Sequence, residues 1–226
     1  MRVLAIDTAL GACAAAVLDL QRASMLASES LDMVRGHAEA VMPLIARVMD
    51  AARSEFVELN RIAVTVGPGS FTGLRVGISA ARGIALAAGR PAIGLSTLSA
   101  LAAPHVAARS GDTIIAAIDA RNEQVYFQVF APNGVTVVTP RLDRVRAAVR
   151  AVPVGPTVIT GSGAMLVASH WPSGSPVPRV EDHAAPDIGW VARLGAAAQE
   201  EGAPPKPLYL RRPDARPQDA GRLPRR

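Results

Sequence analysis

Apolar positions along the chain change their spacing in an ordered way. Val3-Leu4-Ala5-Ile6 is a short continuous apolar run suited to a buried strand, and it stops at Asp7-Thr8. Gly11 opens a second run, Ala12 to Leu20, and Ser24 to Leu31 follows after a turn-like break. Three consecutive strands joined by hairpins are predicted. From His37 the period lengthens. Val41, Leu44, Ile45, Val48 and Met49 recur at spacings of three and four, which predicts an amphipathic helix ending near Ala52. Pro43 lies inside that pattern and marks a kink or a late start. Ile62 to Val66 reads as another buried strand, and it runs straight into Gly67-Pro68-Gly69-Ser70-Phe71-Thr72-Gly73. A helix of small residues to about Ala88, a strand at Ala92 to Leu95 and a short helix from Thr97 complete the first half.

The second half repeats this plan. Thr113 to Ile118 is an apolar strand ending at Asp119, as the first strand ends at Asp7. Val125 to Phe130 and Val135 to Thr139 follow, with Asn133-Gly134 as the hairpin turn between them. Then come a helical stretch from Leu142 to Val149, a strand at Thr157 to Thr160, the turn Gly161-Ser162-Gly163, and a last helix from Ile188 to about Glu200. Strand, aspartate, hairpin, helix, strand and glycine turn thus occur twice, which predicts duplicated α/β lobes facing one another. The expected organisation is an N-terminal lobe over residues 1–100, a C-terminal lobe over 101–203 and a proline-rich basic tail over 204–226. Within that tail Leu208, Tyr209 and Leu210 are expected to pack on the body, since exposing large apolar residues forgoes burial worth about 1.5–3 kcal/mol each. The end beyond Pro213 is expected to be mobile.

Composition narrows the class. Half of the 226 residues are apolar and 19% are charged, which excludes disorder over most of the length. The most apolar long stretch, Gly73 to Gly89, carries Arg75 and Arg82, so no membrane span is expected. An aspartate at position 7 interrupts any signal-peptide pattern, and a single cysteine, Cys13, allows no internal disulfide. A cytoplasmic protein is expected. The net charge of +5 resides entirely in the tail, where seven basic residues meet Asp214 and Asp219, leaving a neutral body. That distribution argues against an autonomous nucleic-acid binder.

Three groups of residues bear on chemistry. Asp7-Thr8 and Asp119 stand at the carboxyl ends of the first strands of the two lobes, where open α/β sheets bind ligands. They suit a weak nucleotide and magnesium cleft, or simply cap hairpin turns. The run Gly67, Gly69, Ser70, Thr72, Gly73 is neither a Walker loop nor a dinucleotide fingerprint. It suits an anion at a helix N-terminus or a capped strand–helix turn. Beyond it Gly73, Gly77, Ala80, Ala81, Ala85 and Ala88 leave one bare helix side that another backbone, from this chain or a partner, can approach. The histidines His37, His105, His170 and His183 show no metal-ligand spacing and no Gly-x-Ser-x-Gly elbow occurs, so neither a metal nor a catalytic residue is assigned.

Several of these segments resemble the TsaB family: Leu4-Ala5-Ile6-Asp7-Thr8, His37-x-Glu39-x-x-x-Pro43-x-Ile45, Gly67 to Gly77, Ile93-Gly94-Leu95-Ser96-Thr97-Leu98, Asp119-Ala120-Arg121-x-Glu123-x-Val125-Tyr126 and Pro207-x-Tyr209-Leu210-Arg211. The match runs nearly end to end and is weakest from Leu142 to Pro186. The resemblance implies a two-lobed fold of the actin, sugar-kinase and Hsp70 type. It also implies the dimerisation subunit of the machinery that places threonylcarbamoyl on the tRNA adenosine beside the anticodon. In that family a metal-bearing relative, TsaD, performs the transfer, a small ATPase, TsaE, assists, and free TsaB-like chains self-associate through the N-terminal lobe. The metal-bearing relatives carry a histidine pair that this chain lacks. No cofactor of its own is implied; ATP or ADP with magnesium would sit at the complex interface, and tRNA would be met through the complex.

The expectation is therefore a non-catalytic partner whose interface uses the two first-lobe helices, through His37, Val41, Leu44, Ile45, Val48, Leu74, Gly77, Ala81 and Ala85. The rival class is an enzyme in its own right, a nucleotide-dependent kinase or a peptidase-like hydrolase of the same fold, with Asp7, Thr8 and Asp119 as its centre.

Overall fold

The computed structural model describes residues 1–199 and 205–211. The first half holds strands β1 (Arg2–Asp7), β2 (Ala12–Asp19), β3 (Ser24–Asp32), β4 (Arg61–Gly67) and β5 (Ala92–Ser96). Its helices are α1 (His37–Ala51), α2 (Phe71–Ala88) and α3 (Thr97–Ala108). The second half holds β6 (Thr113–Asp119), β7 (Gln124–Phe130), β8 (Thr136–Arg144), β9 (Thr157–Thr160) and β10 (Arg179–Glu181), with α4 (Val145–Arg150), α5 (Ala164–Ala168) and α6 (Ile188–Ala197). One sheet runs β3-β2-β1-β4-β5 and the other β10-β9-β6-β7-β8, so both have the same strand order when read from the third strand of each unit. In each, the first three strands are antiparallel and the fourth adds parallel to the first, as in Ile6 opposite Val64 and Ile115 opposite Ile159. The duplication expected from the pattern is present element for element.

Apolar runs in β1 and β6 are explained by burial on both faces, the rule for strands with a parallel neighbour under helices. On the outer face of the first sheet, α1 and α2 close a core of Leu4, Ile6, Val17, Leu44, Ile45, Ile62, Leu74 and Ile78. On the outer face of the second, α4 and α5 cover Ile115, Val125, Phe127 and Ile159. Pro43 sits within α1, which starts at His37 without a late entry, and Ser70 caps α2 by accepting from the Gly73 amide at 3.3 Å.

Between the two sheets lie α3 and α6, each exchanged onto the other unit's sheet. Leu98, Leu101 and Ala102 of α3 pack on Ile114, Ala116 and Val158 of the second sheet. Ile188, Val191 and Ala192 of α6 pack on Ala5, Ala14 and Ala16 of the first. The Arg61 side chain of β4 donates to the carbonyls of Gly195 at 3.1 Å and Ala198 at 2.8 Å, favourable for a cation at a helix C-terminus. A division at residue 100 therefore cuts through α3, and the 188–197 helix belongs to the first lobe's layers rather than to the second's. The apolar spacing of α6 specifies a buried face without specifying which sheet buries it.

Other differences are local. The stretch expected to be helical from Leu142 continues β8 to Arg144 before α4 begins, because Gln124 of β7 pairs opposite Arg144. The 3₁₀ turn Phe56–Glu58, α5 and β10 had no expected counterpart. The end of the tail beyond Arg211 lies outside the described residues. Among the described residues no helix is long and apolar enough to cross a membrane.

Candidate functional site

Asp7 stands at the carboxyl end of β1 with no exposed surface. The Thr65 hydroxyl and the Ala9 amide donate to its Oδ1, while Oδ2 is buried without a partner. Burial pushes its pKa above the ordinary carboxylate value, against the hydrogen bonds from Thr65 and Ala9 and the nearby His37. Thr8 is 1% exposed, and its hydroxyl donates to the Gly73 carbonyl at 2.7 Å. Asp119 is exposed and accepts from the Arg121 amide at 2.7 Å, a turn-capping use. Of the three residues proposed for a nucleotide cleft, then, two are enclosed by this chain's own atoms and the third caps a turn.

The glycine run is a packing device. A Cβ at Gly69 would strike the Ala9 carbonyl, one at Gly73 the Thr8 carbonyl, and one at Gly77 the Thr8 hydroxyl. The Ser70 amide donates to the Ala9 carbonyl at 2.8 Å and the Gly73 amide to the Ser70 hydroxyl. Two of the donors at this turn, the Ser70 and Gly73 amides, are thus used within the chain. Thr72 is exposed at the start of α2, and Gly67 closes β4 with φ +118°. Gly73 and Gly77 of the bare helix side face the β1–β2 hairpin of the same chain, whereas Ala80 and Ala88 line an outward groove.

The residues expected at a partner interface are also interior. Leu44, Ile45 and Ala81 have no exposed surface, Val41, Val48, Leu74 and Ala85 are 5% exposed or less, and Gly77 is buried. His37 is 7% exposed, with its Nε2 3.3 Å from the Leu10 carbonyl oxygen. A helix on a sheet turns its strongest apolar stripe inward, and the expectation mistook that stripe for an outer surface. What the two helices leave outside is different. Met42, Phe56, Val57, Ala80, Gly83 and Ile84 line a shallow groove of about 450 Å³ between α1, the 3₁₀ turn and α2. Met42 is 48% exposed, Val57 60% and the nearby Leu86 of α2 86%. A Cβ on Gly83 would meet nothing within 4 Å, so this glycine faces open space.

Residues 30–163 match a family model described as TsaD: tRNA N6-adenosine threonylcarbamoyltransferase. The tRNA threonylcarbamoyladenosine biosynthesis protein TsaB of Escherichia coli is 38% identical over 127 residues, covering 56% of this chain and 54% of that protein. An uncharacterized protein of Mycobacterium tuberculosis is 33% identical over 95% of this chain and 94% of its own. The solved structure of YeaZ from Pseudomonas aeruginosa superimposes with a TM-score of 0.78 at 25% identity, covering 92% of this chain and 99% of that one. The chain belongs to the TsaB family.

The fold of this TsaB-family chain is the two-lobed, duplicated α/β architecture that the resemblance implied. Among its described residues no group of three or more His, Cys, Asp or Glu side chains is gathered as a metal ion would need. The groove on its first lobe was missed from sequence, although a signal existed. Met42 on α1, and Gly83 and Leu86 on α2, fall out of phase with the buried stripes at 41, 44, 45, 48 and at 74, 78, 81, 85. Apolar or small residues off the core stripe mark a second, outward face.

Proposed function

We propose that this TsaB-family chain is a non-catalytic subunit in tRNA threonylcarbamoyladenosine biosynthesis, and that it docks a TsaD-like catalytic subunit on the groove between α1 and α2. The observation that carries the reading is the uncovered apolar face of Met42, Phe56 and Val57 beside Ala80 and Gly83. An apolar, nearly charge-free patch flanked by small residues fits the core of a protein interface, where helices approach closely. In the internal cleft, by contrast, Asp7 Oδ1 and the Thr8 hydroxyl are bonded to this chain's own atoms. In this reading a second copy of the chain uses the same face when the partner is absent. A TsaE-like ATPase, nucleotide with magnesium, and tRNA all meet the assembled complex rather than this chain alone.

Gly83→Arg tests the proposal. The new side chain enters open space, so folding is expected to be unchanged. It would stand in the middle of the groove and should abolish co-purification with a TsaD-like subunit, and with it tRNA modification in a reconstituted reaction. A folded Gly83→Arg protein that still binds and supports modification at the parent level overturns the assignment of this face.

A further inference from the structure

We propose that residues 205–211 form a latch that joins the two lobes across the carboxyl-end mouth of their cleft and limits how far that mouth opens. The segment touches both lobes within four residues. On the first-lobe side the Leu208 amide donates to the Val66 carbonyl at 2.7 Å, where β4 ends. The Leu208 carbonyl lies against Gly67, so close that a Cβ there would be 2.8 Å from it. Tyr209 leans on Phe71 of α2 with ring centroids 5.3 Å apart, and its hydroxyl accepts from Arg75 Nε at 3.1 Å. On the second-lobe side Arg211 Nη2 donates to the Ala120 carbonyl at 3.0 Å and to Gln124 Oε1 at 2.8 Å.

The second anchor is a turn under backbone strain. Arg121, Asn122 and Glu123 have φ values of 63°, 53° and 54°, three successive non-glycine residues in the left-handed region. Each such residue costs roughly 1–2 kcal/mol and persists only where its surroundings hold it. Here the holding contacts are Arg121 amide to Asp119 carboxylate at 2.7 Å, Val145 amide to Glu123 carbonyl at 2.9 Å, and the Arg211 guanidinium on Ala120 and Gln124. Burial does not explain the segment by itself, because Tyr209 is 44% exposed. Its specific bonds lie at its two ends, one set per lobe.

Chain length turns these bonds into a limit. From Leu208 to Arg211 the backbone reaches at most about 10 Å. The ends of β4 and β6 cannot separate beyond the reach of this backbone and the Arg211 side chain without breaking one anchor. The latch also lies over the carboxyl end of β4, the side from which ligands enter open α/β sheets. Anything that reaches the Gly67 turn from that side has to displace it first.

The test uses the full chain with spin labels at Ala46→Cys on α1 and Arg150→Cys on α4, both exposed positions in different lobes. Cys13 is buried and stays unlabelled. Arg211→Ala should broaden the interlobe distance distribution toward longer values. It should also speed hydrogen exchange of the Leu208 amide in the other anchor by at least about tenfold, since two hydrogen bonds from a charged group are lost. Tyr209→Ala, which loosens the first-lobe end, should in turn speed exchange of the Arg121–Gln124 amides. If each substitution affects only the lobe whose anchor it removes, and the label distances superimpose on the parent's, the segment is passive packing and the latch is overturned. Should either variant fail to fold, Gln124→Ala removes one of the two second-lobe acceptors of Arg211 and is read by the same two measurements, with a smaller shift expected.

Discussion

The Thr8 hydroxyl occupies the space that a Cβ on Gly77 would need, and it uses that proximity to donate to the Gly73 carbonyl at 2.7 Å. Helix α2 is therefore seated directly on the β1–β2 hairpin, with glycine at each point of closest approach. Gly77→Ala should destabilise the protein by about 1–3 kcal/mol, as overpacking of a tight core does. Gly83→Ala in the same helix, facing open space, should stabilise it by about 0.5–1 kcal/mol. Denaturant midpoints of the two variants check this, and equal signs would refute the packing role.

Asp7 gives a pH prediction. Its folded pKa is raised, chiefly by burial, so the protonated form is the one the fold prefers. Its contribution is fully present below the unfolded carboxylate pKa of about 3.9 and is lost as pH rises through the raised folded value. Asp7→Asn keeps an acceptor for Thr65 and Ala9 and carries no charge at any pH. The stability of the Asp7→Asn variant minus that of the parent should therefore grow between acidic and neutral pH, by about 1.4 kcal/mol for each unit of the shift. Thermal unfolding of both proteins across that range measures it, and a pH-independent difference would contradict it.

Cys13 should be chemically quiet. Burial first, and the neighbouring Asp7 second, push its thiol up to about 11. Near pH 8 the folded protein should react with a thiol reagent far more slowly than the unfolded chain, because the thiolate is the reactive species. Comparable rates in buffer and in denaturant would show that β2 opens readily.

Association through the α1–α2 groove should tolerate salt. Its lining is apolar, whereas contacts made by charged tails weaken as the Debye length falls from about 10 Å at 0.1 M to about 3 Å at 1 M. Binding to a TsaD-like subunit, measured by calorimetry, should change little over that range, and a steep loss would point to a charged surface instead.

Much of the architecture could be read along the chain. The two apolar runs ending in Asp7 and Asp119, the hairpins and the α1 and α2 patterns all reflect local physics, since period and turn chemistry depend on neighbours in sequence. The family motifs were legible for the same reason. Partial burial of Leu208 and Leu210 against the body followed from their size alone.

What only the tertiary structure decided concerns which surface meets which. An inward stripe and a partner-facing stripe look the same in sequence, so Val41, Leu44, Ala81 and Ala85 could be assigned outward until the sheet beneath them was seen. The exchange of α3 and α6 between lobes rests on contacts between distant residues, such as Arg61 with the carbonyls around Gly195. Asp7 and Thr8 carry the side chains of a ligand site, yet Thr65 and Gly73, far away in sequence, use up the Asp7 Oδ1 and the Thr8 hydroxyl. Sequence specifies which groups are present and their local conformation. Whether a polar group is free to act depends on what long-range packing brings against it.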